Sequence, residues 1–319
     1  MKASVIVSVL GALLVGAAGL TDATKCPRHN TNTLVTPSGG EGRTLQGLNY
    51  NSKRASGECG TVEDVKADLE FFSSVTKAYR IYSLTNCNEG ELLLQAIKGT
   101  DFKVALGMWV GKDPVPVTEE MAKLETLAQT YGDVIKSSVS GLIVGSEAIY
   151  RKDVDEATLT GYIKQARDIL RKHNLDTPVT AAETYDKQTP GLVAAVDYVT
   201  MNAFPFWENK TIEEAKSVFF EHYDAVSGLA NGKTVVVGET GWPTAGNNYG
   251  PAEPSLDNMK TYLGQFACEA HKRNIKYYWF SCTDEPWKHD EHSIGVEPNW
   301  GLTQSDRRTW KIEGAFYQC

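Results

Sequence analysis

Short apolar runs alternate with amphipathic segments along most of the chain. In the segments 62–73, 119–131 and 157–173, apolar residues recur at spacings of three and four, as they do on one face of a helix. Apolar runs of strand length lie between such segments, at 45–49, 75–82, 102–109, 141–145, 179–182, 198–203, 234–238 and 277–281. The pattern therefore predicts a series of strands separated by helices.

The alternation of strands and helices favours an α/β fold, the closed parallel (β/α)8 or TIM barrel. The chain of 319 residues fits one such barrel, which commonly takes roughly 250 residues. An open doubly wound sheet would usually carry a glycine-rich turn after its first strand, and none follows 45–49. We therefore expect a single barrel domain over 44–319, with its functional side chains at the carboxyl ends of the strands.

The first 20 residues combine Lys2 with an apolar run that ends in small residues, which is typical of a secretory signal peptide. A retained membrane anchor is the alternative, but the run is shorter than the roughly 20 residues that a span requires. Segment 21–43 is rich in Thr, Asn, Gly and Pro, and we expect a poorly ordered extension there. These features predict a secreted, extracellular or cell-wall protein without an integral membrane span.

Secretion predicts that the cysteines form disulfides, because disulfides persist in an oxidising compartment. There are six, at Cys26, Cys59, Cys87, Cys268, Cys282 and Cys319, and they show no CxxC spacing, so we expect no metal site. Sequence alone leaves all 15 complete pairings open. The pairs that we prefer are Cys59–Cys87 and Cys268–Cys319. Asn209 begins an Asn-Lys-Thr sequon and is a candidate for glycosylation.

The chain is acidic, with a formal net charge of -8 and a calculated pI near 5.4. It contains no block of Lys and Arg that could follow a phosphate backbone, so nucleic acid is not an expected partner. The acidic surface suits a neutral polymeric substrate, although solubility alone also explains it.

A glutamate stands at the end of two predicted strands. Ser146 and Glu147 follow the strand 141–145, and Glu239 follows the strand 234–238. An ion pair at a strand end is one explanation for such a residue, but two in matching positions suggest a shared site. Cleavage of a glycosidic bond requires one carboxyl group that protonates the leaving oxygen and a second that attacks the anomeric carbon. Mutual repulsion would keep one of the two protonated.

Four segments carry a resemblance to a known family. They are Val144-Gly145-Ser146-Glu147-Ala148-Ile149-Tyr150-Arg151, Val237-Gly238-Glu239-Thr240-Gly241-Trp242-Pro243-Thr244, Met201-Asn202-Ala203-Phe204-Pro205-Phe206-Trp207 and Thr283-Asp284-Glu285-Pro286-Trp287-Lys288. The first two resemble the signature segments of glycoside hydrolase family 17, the β-1,3-glucanases and glucanosyltransferases. The similarity extends over roughly residues 45–319, and it is nearest to the fungal cell-wall branch of the family.

The resemblance implies that Glu147 is the acid/base and Glu239 the nucleophile of a retaining enzyme that acts on β-1,3-glucan. Hydrolysis and glucanosyl transfer are both open, no cofactor is implied, and we expect a monomer. Many members have Asn where this chain has Ser146, which puts a direct contact to the sugar 2-hydroxyl in doubt. A glucan-binding wall protein that has lost catalysis is the alternative, and a glycosidase for another β-linked sugar is a third possibility.

Further residues are candidates for contacts to substrate. The resemblance places Glu285 and Lys288 at the site, where an ion pair could orient Glu239 or a sugar hydroxyl. Aromatic residues follow several predicted strands and could stack on sugar rings, namely Trp109, Phe206, Trp207, Trp242 and Trp287. Weaker candidates for hydroxyl contacts are Tyr50, Arg80, Tyr82 and Asn202, for which packing inside the barrel is the competing explanation.

Overall fold

A computed structural model describes residues 44–288, 293–312 and 319 of the chain. Within them, eight parallel strands pair in sequence order and close through β1 and β8 into a barrel. The strands are β1 (Leu48–Asn49), β2 (Ala78–Arg80), β3 (Lys103–Met108), β4 (Val139–Ser146), β5 (Val179–Thr184), β6 (Val199–Asn202), β7 (Val235–Thr240) and β8 (Lys276–Trp279). The predicted (β/α)8 fold is therefore confirmed. The predicted signal peptide (1–20) and extension (21–43) lie outside the described residues.

Helices separate the strands. They are α1 (Val62–Phe72), α2 (Glu89–Ile97), α3 (Pro114–Ser138), α4 (Glu156–Lys172), α5 (Pro190–Ala195), α6 (Ile212–Leu229) and α7 (Leu256–Lys272), with 3₁₀ turns at Asn86–Asn88, Tyr185–Lys187 and Pro205–Glu208. Side chains satisfy the free amides at several helix starts, as in the reciprocal capping box between Thr61 and Asp64 at α1. None of the helices among the described residues has the length and apolar character to cross a membrane.

Two apolar layers hold the barrel together. Inside it, Ala78, Ala105, Ile143, Ala182, Val236 and Tyr278 form a small buried cluster contributed by six strands. Outside it, the large core packs the helices onto the strands and contains a zone of aromatic side chains below the barrel mouth. Because both faces of each strand are buried, the strands show the continuous apolar runs from which they were predicted.

A buried carboxylate connects the beginning of the barrel with the segment that follows its last strand. Asp68 of α1 is fully buried and accepts hydrogen bonds from the Tyr50 hydroxyl at 2.9 Å and from Arg54 at 2.7 Å. Arg307 and Arg308, from the segment after β8, donate to the same carboxylate at 3.1 and 2.9 Å. These contacts fasten the first βα loop to the last described segment of the chain.

Both preferred disulfides are present, because Cys59 bonds Cys87 and Cys268 bonds Cys319. Cys282 is a buried free thiol, and Cys26 lies outside the described residues.

Candidate active site

Glu147 occupies a sharp turn at the end of β4. Its backbone has a φ of 58°, in the left-handed region that non-glycine residues seldom adopt, and Gly145 just before it has a φ of 80°. The Glu147 amide donates to the Ala182 carbonyl of β5 at 2.7 Å, and the Glu147 carbonyl accepts from the Arg151 amide at 2.8 Å. The turn thus leaves the line of the strand and brings the half-buried carboxyl to the barrel mouth.

Glu239 lies within β7, because this strand continues two residues beyond its predicted end. The residue is 7% exposed, and one carboxylate oxygen, Oε1, accepts three hydrogen bonds. The donors are Arg80 Nη1 at 2.8 Å, Ser146 Oγ at 3.0 Å and Asn202 Nδ2 at 3.0 Å. Charge-assisted hydrogen bonds of this kind stabilise the ionised form of a carboxyl group.

Gly238 gives these donors room to approach. A side-chain carbon on Gly238 would lie 2.6 Å from Asn202 Oδ1 and 3.2 Å from Arg80 Nη1. Arg80 also donates to the Gly238 carbonyl at 2.8 Å and to Ser146 Oγ at 2.9 Å. The Ser146 hydroxyl is therefore engaged with Arg80 and Glu239.

One amide group connects the two glutamates. Asn202 Nδ2 donates to Glu147 Oε1 at 2.9 Å as well as to Glu239 Oε1 at 3.0 Å. Two contacts of these lengths to a single nitrogen place the two oxygens at most about 5.9 Å apart. The sequence-based prediction that strand ends bring these residues together agrees with this geometry.

The pKa of the Glu147 carboxyl is raised from 4.5 to about 7. Burial is the larger cause, and the negative charge of Glu239 adds to it, whereas the hydrogen bond from Asn202 and the charge of Arg151 oppose the rise. The repulsion between the glutamates is predictable from the sequence, whereas the larger effect of burial depends on the folded chain. Glu147 is thus a carboxyl that can carry a proton near neutral pH beside an ion-paired carboxylate.

Two cavities meet at the glutamates. One has a volume of about 580 Å³ and the other about 380 Å³, and both are lined by Glu147, Arg151, Glu239, Phe280 and Glu297. The larger cavity extends over the loops after β1, β2, β3 and β8, and the smaller one over the loops after β5, β6 and β7. The pair of carboxyls therefore stands in the middle of the concave surface, with space on both sides.

Aromatic and polar side chains line both cavities. Trp109, Trp287, Tyr82 and the Glu285–Lys288 ion pair, with an N–O distance of 2.7 Å, belong to the larger cavity. Trp207 and Asn202 belong to the smaller one. Aromatic faces beside convergent polar groups suit the binding of sugar rings, which have an apolar face and polar edges.

Three predicted substrate contacts are corrected by the structure. Tyr50 is 1% exposed and directs its hydroxyl to Asp68 below the mouth. Phe206 and Trp242 are fully buried and contact each other edge to face, and the indole nitrogen of Trp242 donates to the Glu253 carbonyl at 2.9 Å. These side chains support the loops and line neither cavity.

Two other residues at the site have roles that sequence reasoning underestimated or missed. Arg80 was a weak candidate for substrate contact, yet it is fully buried and pairs with Glu239. Glu183 at the end of β5 was not considered, and it accepts the Ile149 and Tyr150 amides of the turn that carries Glu147. Its sequence signal was the one that identified Glu147, a glutamate directly after a predicted strand.

The described residues contain no group of three or more His, Cys, Asp or Glu side chains that could hold a metal ion.

Comparison with characterised families gives relatives over most of the chain. Residues 47–301 match the BtgE/BtgC glycoside hydrolase domain. A glucan 1,3-β-glucosidase of Schizosaccharomyces pombe is 32% identical over 269 residues, which cover 80% of this chain and 82% of the relative. The btgC protein of Aspergillus niger is 31% identical over 76% of this chain, but the match spans only 39% of that longer relative.

Solved structures show the same relationship. An active-site mutant of the Rhizomucor miehei β-1,3-glucanosyltransferase, in complex with laminaritriose, is 35% identical and covers 88% of this chain and 100% of its own, with a TM-score of 0.79. Another structure of that glycoside hydrolase family 17 enzyme is 36% identical over 85% of this chain and 97% of its own, with a TM-score of 0.77. With its barrel, its matched domain and these relatives, the chain belongs to glycoside hydrolase family 17.

Proposed function

We propose that this protein is a retaining glycosidase that acts on β-1,3-glucan by hydrolysis, by glucanosyl transfer or by both. The separation of the two carboxyl groups carries the proposal. Retaining glycosidases place them roughly 5 to 5.5 Å apart, and inverting ones roughly 6.5 to 9.5 Å apart to admit a water molecule. The upper limit of about 5.9 Å between Glu147 Oε1 and Glu239 Oε1 supports the retaining arrangement.

In the first step, protonated Glu147 gives its proton to the glycosidic oxygen while the Glu239 carboxylate attacks the anomeric carbon. The bond to the leaving sugar breaks, and a covalent glycosyl ester forms on Glu239. Glu147, now ionised, accepts a proton from the incoming hydroxyl group, which attacks the anomeric carbon and releases Glu239. Water gives hydrolysis, and a sugar hydroxyl of a second glucan gives transfer.

The electrostatics of the site support these roles. The raised pKa of Glu147, about 7, keeps a proton available for the leaving oxygen in neutral and mildly acidic solution. The three donors to Glu239 Oε1 hold the carboxylate of the nucleophile in a fixed position at the barrel mouth. The cavities on both sides of the pair provide space for sugar units before and after the bond that is cleaved.

The relatives support β-1,3-glucan as the substrate class. Two of them are named for activity on this polymer, and one was crystallised with laminaritriose. Of the predicted binding residues, Tyr82, Ser146, Asn202, Glu285 and Lys288 line the cavities and are our candidates for contacts to its hydroxyl groups.

We further propose that the chain is secreted and glycosylated at Asn209. The disulfides are compatible with an oxidising compartment. Asn209 is exposed, as an acceptor of a glycan must be. Intact-mass measurement of protein from a eukaryotic secretory host, before and after enzymatic deglycosylation, tests both statements.

A product time course tests the proposed function. Purified wild-type protein is incubated with reduced laminari-oligosaccharides beside Glu239→Ala and Glu147→Ala, and the products are separated by chromatography. Products longer than the substrate demonstrate transfer. If all products are shorter than the substrate, the enzyme acts mainly by hydrolysis. NMR of the first product formed by hydrolysis is expected to show the β-anomer. Activity of Glu239→Ala equal to that of wild type would contradict the catalytic assignment, and an inactive wild type would favour a glucan-binding protein.

A further inference from the structure

A third buried glutamate supports the turn on which Glu147 stands. Glu183 of β5 is fully buried and lies outside the lining of both cavities, so it does not reach a bound glucan. Its two carboxylate oxygens accept the consecutive backbone amides of Ile149 at 2.8 Å and Tyr150 at 3.2 Å. These amides follow Glu147 by two and three residues, so Glu183 binds the backbone of the turn itself.

The turn needs such support for two reasons. Glu147 has left-handed backbone geometry, which is unfavourable for a residue with a side chain and persists only where the surroundings enforce it. The amides of residues 149 and 150 donate to Glu183, and without this acceptor they would lose their partner in a part-buried place. Glu183 satisfies both amides with one rigidly held group.

Arg151 holds the opposite side of the same turn. Its guanidinium group donates to the Val110 carbonyl at 3.0 Å and to Asp153 at 2.9 Å, and it lies 4.5 Å from the centre of the Trp109 ring. It also donates to the Ser146 carbonyl. The turn is therefore held by a carboxylate from β5 and by its own guanidinium group, and of these two groups only Arg151 lines the cavities.

We propose that Glu183 is a positioning residue that holds the 147–151 turn and thereby aims the Glu147 carboxyl at the glycosidic oxygen. The inference rests on the proposed function, in which Glu147 is the acid/base. Glu183 also adds a negative charge behind Glu147, which favours the protonated acid. The other groups that face Glu147 are Glu239 from β7, Arg80 and Tyr82 near β2, and Arg151 and Tyr150 of the turn.

Glu183→Gln is the main test. Glutamine has nearly the same size, but its NH2 group cannot accept a hydrogen bond, so one turn amide loses its partner and the negative charge disappears. With laminari-oligosaccharides, kcat is expected to fall about 100-fold, the effect of a misplaced catalytic group. KM is expected to change little, because Glu183 touches neither cavity. The alkaline limb of the pH profile of kcat/KM is expected to move to lower pH, because a negative charge beside the acid has been removed.

The leaving group separates positioning of the acid from general damage. A dinitrophenyl β-laminaribioside releases a phenolate that needs no protonation, so formation of the glycosyl ester is independent of Glu147. We expect Glu183→Gln to form the ester from this substrate at nearly the wild-type rate, measured as the burst of phenolate. Glu183→Asp keeps the charge and is expected to keep the pH profile while recovering part of kcat.

Asp197→Asn is the matched control. Like Glu183, Asp197 accepts a backbone amide, that of Val179 at 2.7 Å, but this contact lies at the opposite end of β5. It should lower the melting temperature without moving the alkaline limb. An unchanged kcat and pH profile in Glu183→Gln, or equal losses on both substrates, would overturn the positioning role. Wild-type activity in Glu147→Gln would instead show that the proposed function is wrong. If Glu183→Gln does not fold, Glu183→Asp decides: a lower kcat on laminari-oligosaccharides with the phenolate burst at the wild-type rate supports the positioning role, and equal effects on both substrates overturn it.

Discussion

Replacing Glu147 by Gln is expected to stabilise the protein while it removes activity. In the folded chain the pKa of this carboxyl is raised from 4.5 to about 7, so the native state holds a proton that the unfolded chain releases. Gln cannot ionise and has nearly the same shape. Its side-chain oxygen can still accept the hydrogen bond that Asn202 now donates at 2.9 Å. The variant therefore avoids the cost of placing a charge at this position.

The sign and size of the effect follow from proton linkage. Below about pH 4.5 the carboxyl is protonated in both states and contributes nothing. Between about pH 4.5 and 7 the native state binds more protons, so its free energy of unfolding falls as the pH rises. Above that window the full cost is about 3 kcal/mol, at roughly 1.4 kcal/mol for each pKa unit. For a domain of this size, with an unfolding entropy of about 2.1 cal/mol/K per residue, this corresponds to a rise in Tm of roughly 5–6 °C in the variant.

Urea and thermal unfolding at about pH 4, 6 and 8 measure this difference. The two proteins should coincide at the lowest pH, and Glu147→Gln should be the more stable at the highest. Glu221→Gln, a change at an exposed residue of α6, controls for the loss of a surface charge. Glu89, whose pKa is raised to about 8 by burial, titrates equally in all of these proteins. Stability curves for wild type and Glu147→Gln that stay parallel from acid to alkaline pH would refute the reasoning.

Other changes test the surroundings of the site. Arg80→Met leaves buried Glu239 without its ion pair, and denaturation in urea should show a loss of about 3–5 kcal/mol together with loss of activity. Joint replacement of Cys59 and Cys87 by Ser opens a loop between residues 28 apart, and the same assay should show a loss of about 3–4 kcal/mol with activity retained at room temperature. Trp109→Ala removes a 38% exposed ring from the larger cavity, and steady-state kinetics should show KM for long laminari-oligosaccharides rising up to about tenfold at constant kcat.

The barrel and its two central glutamates could be predicted because both depend on local signals. Each strand is an apolar run, and parallel strands of a barrel deliver their last residues to one rim. The strand bounds were less accurate. β7 runs through Thr240 because this residue still pairs with Trp279 of β8, so Glu239 lies inside the strand rather than after it.

The direction of individual side chains could not be predicted in the same way. Tyr50 follows β1 as Tyr82 follows β2, yet one reaches down to Asp68 and the other lines the larger cavity. Phe206 and Trp242 pack against each other and against aromatic rings from distant loops. These partners are decided by how the loops fold over the mouth, which a strand pattern does not contain.

Glu183 has a local sequence signal, a glutamate after a predicted strand, but its contact to the 147–151 turn could not be predicted from that signal. It follows the predicted strand 179–182 as Glu147 follows 141–145. Its contact to the turn depends on the register between β4 and β5, where Ser146 lies beside Ala182. That register includes an irregularity between Ile143 and Ser146, so the amides opposite Glu183 could be identified only in the folded chain.

The tie between Asp68 and Arg307 has a consequence for synthesis of the chain. The two residues are 239 positions apart, and ribosomes add about 5–20 residues per second, so Asp68 emerges roughly 10–50 s before its partner. The pairing of β1 with β8 likewise forms only after β8 has been synthesised. During this interval the Asp68 carboxylate has its upstream partners Tyr50 and Arg54 but lacks Arg307 and Arg308, so its burial is less well compensated than in the complete fold. Closure of the barrel is therefore coupled to synthesis of the last segment. Until then the nascent chain has to remain soluble although α1 lacks part of its native contacts.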